Sequence, residues 1–364
     1  GGPPEWFFSP AVLAGHDAAG NGPMHYAAMA ALPDGVRYLA RKKVPADSLN
    51  AEGRTPLMLA LRMDSVPTVN ALLALGADLG RRDASGASAL HLAVYWRAHE
   101  CIKLLLEKTK AVDIRDFTGK TALRDAVDQG DTTAIQLILS RGADPLARDN
   151  SGETPLHAAA RRSDVATLQS LTQKASTLDA RDDGGATPLL EAVYAERLDL
   201  ARFLAEAGAS IHAKDAVGET PLSFAIRRGK DALKAILTPR TITVSDADGR
   251  SVLRVILDTK PVLELVALAL DLGAPLSDRD ARGQSPLHRA LISGQLEIIT
   301  LLVGRGADPF ARDADGTTPA AIALQSGERV IGALFGASPD LSDYLGETAL
   351  HYAAASGMEK GALA

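Results

Sequence analysis

The stretch "ARDNSGETPLHAAARRSD", residues 147–164, decides the reading of the whole chain. It holds an Arg148–Asp149 pair, Ser151, a lone His157 and the double arginine Arg161–Arg162. Those residues make up the inventory of a small hydrolytic site, with His157 as a base beside a hydroxyl nucleophile. The same residues also suit one copy of a structural repeat. The two readings separate once the segment is laid along the rest of the chain.

Pro155 recurs as Pro23, Pro56, Pro188, Pro221, Pro286 and Pro319, while Ala89, Ala122, Val252 and Ala349 fill the same slot in other copies. Consecutive slots lie 33 residues apart, except for steps of 31, 34 and 30 around Val252 and Ala349. Three residues before the slot stands glycine in all eleven copies, from Gly20 through Gly152 to Gly346. Six before it stands Asp in ten copies, with Asn50 the exception. Immediately before it stands Ser or Thr in ten, with Gly22 the exception. The chain is a tandem array.

Each column has a physical meaning. The Asp-x-x-Gly unit predicts a turn, because Asp bonds amides ahead of it and Gly enters a conformation that strains other residues. Ser or Thr then caps a helix whose first position tolerates Pro. Leu and, three residues later, Ala share one helix face, and Ala lets the neighbouring helix approach closely. A second apolar segment such as "AIQLILSRGAD" (134–144) predicts a longer helix closed by glycine. The unit is turn, short helix, turn, longer helix.

Bulk properties agree. A chain of 364 residues with 46% apolar and 23% charged content suits a folded protein, and 4% aromatic content implies a core of Ala, Leu, Val and Ile. The longest apolar run, Val262–Leu272, is interrupted by Glu264 and Asp271, and no segment reads as a membrane span. The single Cys101 excludes an internal disulfide framework and a cysteine-based zinc site. Net charge −6 offers no whole-molecule attraction to nucleic acid. A cytoplasmic location is favoured; a periplasmic or secreted one stays open, since the chain begins at Gly1.

Segments such as "GETPLHAAARRSD", "GASALHLAVYW" and "GQSPLHRALISGQLEIITLLVGRGADPFARD" resemble the ankyrin repeat, with its G-x-T-P-L-H-x-A-A and L-L-x-x-G-A-D blocks. The resemblance spans residues 17–364 as about eleven units. It implies an all-α solenoid of helix pairs with β-hairpin fingers and a concave binding face. Residues 1–16 fit no unit, and Trp6, Phe7 and Phe8 are expected to cap the apolar end of the first repeat. Irregularity is expected over 238–262, where "TPRTITVS" replaces the usual loop, and the eleventh unit stops inside its second helix. That abrupt stop favours a longer native chain.

The resemblance also assigns roles. His25, His91, His157, His288 and His351 share one column, and in this family that imidazole ties adjacent loops together; a catalytic or metal role is not expected. No cofactor, metal site or catalytic residue is expected, and the chain reads as a non-enzyme. Binding is implied at the residue before the Asp, the hairpin tip, the residue after the Gly and the end of the first helix. The first of these is basic in seven copies, Arg148 among them; such cations either pair with finger carboxylates or form an electropositive stripe. The partner-binding candidates are Arg62, Tyr95, Trp96, Phe117, Arg148, Arg161, Arg162, Tyr194, Arg227 and Arg228, a patch centred on Tyr95 and Trp96. The expected partner is a protein, an acidic one among the options, met by a monomer; nucleic acid and membrane are not expected. Two alternatives are an anionic ligand along the arginine columns, and a recognition arm of a larger effector enzyme or channel.

Overall fold

The computed structural model describes residues 13–336. The expected cap Trp6–Phe8, the tip residue Tyr344 and the whole eleventh unit, His351 included, lie outside them. Helices follow one another in pairs, a short one and then usually a longer one, ten pairs among the described residues. The chain divides between Gly184 and Gly185 into two units.

The first unit runs from the pair Pro23–Met29 and Pro33–Arg41 to the pair Pro155–Arg162 and Val165–Thr172. Its first helices start where the columns predict. Thr55, Thr121 and Thr154 accept hydrogen bonds from the backbone N–H three residues on. Leu57, Leu90, Leu123 and Leu156 are buried, with Ala60, Ala93, Ala126 and Ala159 beside them. Ile102, Leu105, Ile135, Ile138, Leu168 and Leu171 of the second helices close the core from the other side. Each such burial contributes roughly 1.5–3 kcal/mol. At the N-terminal end an apolar groove of ≈ 950 Å³ is lined by Leu13, Tyr26, Ala27, Leu32, Tyr38 and Leu39.

Fingers are stitched tip to tip by backbone bonds. Ala84 N–H donates to Glu52 O, Phe117 N–H to Ser85 O, Asn150 N–H to Thr118 O and Asp183 N–H to Ser151 O, at 2.8–3.1 Å. This explains the glycine column. Gly86 has φ +83°, and a Cβ there would lie 2.7 Å from the Phe117 nitrogen. Glycine therefore serves both the turn and the close approach of the next finger. The β-hairpin strands that the resemblance implies are reduced, among the described residues, to the isolated bridges Arg82–Ser88 and Arg115–Thr121.

The second unit repeats the scheme from Pro188–Tyr194 to Glu328–Phe335, with Leu189, Leu222, Leu253 and Leu287 buried. It departs from regularity where the spacing shrinks to 31 residues. Only Gly229, at φ +112°, separates helix Pro221–Arg228 from helix Lys230–Ile236. The usual left-handed glycine exit is replaced by a threonine turn, in which Thr238 N–H donates to Thr241 Oγ1 and Thr241 Oγ1–H donates to Ile236 O. Ile242 is buried behind this turn. Gly218 on the preceding finger faces open space, whereas Gly283 has the Ala314 nitrogen 2.8 Å from its would-be Cβ.

Candidate functional site

His157 is not poised for catalysis. Its Nδ1 accepts the Thr154 backbone N–H at 3.3 Å and lies 2.8 Å from Thr154 Oγ1. Ser151 Oγ–H donates instead to Asp149 Oδ1 at 2.6 Å, so no serine–histidine pair exists in this segment. The same column elsewhere shows the full role. His91 accepts the Ser88 N–H on Nδ1 and donates from Nε2 to Lys120 O at 3.0 Å, one repeat on. His25 and His288 do the same toward Arg54 O and Thr317 O. Because Nδ1 accepts, Nε2 carries the proton, and burial pushes the pKa of His25 and His288 down. Among the described residues no group of three or more His, Cys, Asp and Glu side chains could hold a metal ion.

Two arginines replace histidine in this column and do its work with charge. The buried Arg124 donates to Asp149 Oδ2 at 3.0 Å and to Glu153 Oε2 at 2.7 Å, both in the next repeat. Arg254 makes an ion contact with Asp280 of the next repeat at 3.0 Å, without hydrogen-bond geometry. Glu153 is further held by Arg161 at 2.7 Å; these guanidiniums, Arg161 foremost, bring its pKa down to about 2 against the opposing effect of burial.

Several residues of the basic column before the Asp bond finger carbonyls. Arg115 donates to Gly119 O, Arg279 to Ser277 O and Arg312 to Gly316 O. Arg148 reaches the neighbouring finger, bonding Arg181 O and Asp183 Oδ1.

The first-helix ends of the first unit carry a different surface. Tyr95 is 66% exposed and meets Trp96 edge to face, ring centroids 5.9 Å apart. Trp96 is half-buried, with the Arg54 guanidinium 5.7 Å from its ring centroid. Met63, in the Trp96 column one repeat earlier, is 57% exposed. Arg62, in the Tyr95 column, is exposed and forms no ion pair among the described residues. Phe117, on the fourth finger, is 66% exposed although its backbone seats against Gly86. Arg162 is exposed beside an open polar groove of ≈ 440 Å³ lined by Asp128, Gln129 and Asp164. Arg161 is tied to Glu153 by two bonds, at 2.7 and 2.9 Å.

Tyr194, Arg227 and Arg228 belong to the second unit and are more constrained. Tyr194 O–H donates to Asp215 at 2.9 Å, and burial with that carboxylate raises its pKa. Its ring meets Phe224 edge to face at 4.6 Å. Arg227 bonds Glu219, and Arg228 bonds Glu196 at 2.8 Å; both guanidiniums lie over the Phe224 ring, at 5.6 and 5.2 Å. Phe224 and Arg54 are the site residues that sequence reasoning missed.

A signal for one of them was present. The residue before the cap pairs with the residue eight positions later: Lys120 with Asp128, Glu153 with Arg161, Glu219 with Arg227. The signs reverse among these three repeats; Arg250 and Asp258 hold the same positions with opposite charge but bond Asp246 and Arg254 instead. Arg54 and Arg62 occupy these two positions in the second repeat with like charge.

The family model for ankyrin repeats (three copies) matches residues 10–83, 76–149, 126–215 and 222–313. The transient receptor potential cation channel subfamily A member 1 of Drosophila melanogaster is 36% identical over 72 residues, covering 20% of this chain and 6% of that protein. The chain thus aligns with a small part of that relative's length.

Proposed function

The chain belongs to the ankyrin-repeat family, and from that premise we propose that it is a non-catalytic protein-interaction module whose binding face lies in the first unit around Tyr95 and Trp96. Ankyrin repeats generally mediate protein–protein interaction. The observation that carries the placement is the exposure of Tyr95 and Met63 on helices whose other faces are buried. Large exposed side chains held on rigid elements are what interface hot spots are made of. The residues that resemble catalytic ones are spent on the frame: His157 on its helix cap, Ser151 on Asp149, and Arg148 on the next finger. The same use of arginines within the fingers weighs against an anionic ligand running along that column. We take the module to act as a monomer.

A second reading has one observation behind it, the partial match to a channel subunit. In that reading the array is the recognition arm of a larger protein. Among the described residues no helix is long and apolar enough to cross a membrane, so any channel part would lie elsewhere.

The test is the double substitution Tyr95→Ala with Trp96→Ala, read by pull-down from native extract with mass spectrometry. Captured partners should be lost while the circular dichroism spectrum is unchanged. Retention of every partner at unchanged affinity by a folded double variant defeats the proposal.

A further inference from the structure

Resting on that reading, we propose that the face around Arg62, Met63, Tyr95 and Trp96 takes an acidic segment of a protein partner, one carboxylate meeting Arg62 and an adjacent apolar side chain packing on Met63 and Tyr95. The argument starts from the paired positions at the base of the finger and the end of the first helix. In three repeats of this chain these positions carry opposite charges and close on each other, as Lys120–Asp128 at 2.8 Å and Glu153–Arg161 at 2.7 Å do. In the second repeat both are arginine. Arg54 is neutralised elsewhere, by Glu52 at 2.6 Å and Asp83 at 3.4 Å, and its guanidinium lies against Trp96. Arg62 is left exposed with no counter-ion among the described residues. The missing member of the pair is a carboxylate, and the vacancy lies one repeat from the exposed Tyr95 ring.

Charge alone does not suffice. Net charge −6 repels a bare polyanion at long range, so the ligand must gain from apolar contact as well. Tyr95 and Met63 supply that contact, and a guanidinium at its edge binds carboxylate with two parallel N–H donors. Both conditions are met by a peptide that alternates acidic and apolar residues.

The experiment uses the full chain and three fluorescein-labelled peptides: alternating Glu and Leu, alternating Lys and Leu, and alternating Glu and Ser. Anisotropy should show saturable binding of the Glu–Leu peptide alone, weakening as salt is raised. Arg62→Glu should weaken it about tenfold or more, because the new carboxylate pairs with Arg54 as in other repeats; its thermal midpoint should not fall. Arg62→Lys should retain part of the binding, and Tyr95→Ala should lose it. The inference is overturned if the Lys–Leu or Glu–Ser peptide binds as well, if Arg62→Glu leaves the Glu–Leu affinity unchanged, or if that peptide shows no saturable binding. It is overturned too if light scattering shows a second copy of the chain occupying the face. Should the Tyr95→Ala/Trp96→Ala variant lose its partners while Arg62→Glu keeps them, the interaction face stands and the acidic-partner inference falls.

Discussion

At the residue scale the main lesson is that one column can serve one purpose with different chemistry. His91 ties two repeats through its imidazole hydrogen bonds, and Arg124 ties the next two through buried ion pairs. The acids that receive Arg124 lie 25 and 29 residues away, so this contact has no local signature in the sequence. Asp125, beside Arg124 in the chain, is largely withdrawn from water. Burial, helped by Asp116 and Asp128 and opposed by His91 and Lys120, pushes its pKa from 3.8 up to about 6. A carboxylate raised on folding binds more protons in the folded state, so its penalty is present above pH 6 and fades as pH falls toward 4. Asp125→Asn should therefore raise stability at pH 8, by on the order of 1–2 kcal/mol after solvent screening, and change little at pH 4. Thermal unfolding at the two pH values checks this, and an equal gain at both defeats it.

At the element scale the finger is where sequence and structure agree most closely. Glycine at its tip was predicted for a left-handed turn, and Gly86, Gly152 and Gly283 have positive φ. The second demand, room for the next finger, is invisible in a single unit because it comes from a backbone one repeat away. The two demands separate within the second unit. Gly283 and Gly218 both have positive φ, but only Gly283 has a neighbouring backbone against it. Gly218→Ala should cost about 1–2 kcal/mol, the backbone strain alone. Gly283→Ala should cost at least about 1 kcal/mol more, since Ala314 and Asp313 must move. Chemical denaturation measures both, and equal costs would show that finger stacking contributes nothing there.

At the scale of the molecule, each repeat buries its apolar faces only against its neighbours, which makes stability a sum of local units and interfaces. If the face around Tyr95 is reserved for a different protein, the free chain stays monomeric: light scattering should give a mass near 38.1 kDa across a wide concentration range, whereas a concentration-dependent rise would assign that face to self-association. The sequence by itself determined the repeat, its phase, its helix starts and the structural fate of Asp149, Gly152, Thr154 and Pro155, because all of these act within a few residues along the chain. It also singled out Tyr95, Trp96 and Arg62 as outward residues of the repeat. Only the tertiary structure decided which candidates remain available. Arg161, Arg227 and Arg228 are engaged by Glu153, Glu219 and Glu196, while Arg62 meets no carboxylate among the described residues. Arg228 finds Glu196 in the preceding repeat, a meeting set by how one unit stacks on the next; Glu153 and Glu219 stand within their own repeats, but only the folded turn carries them across eight positions to the helix end.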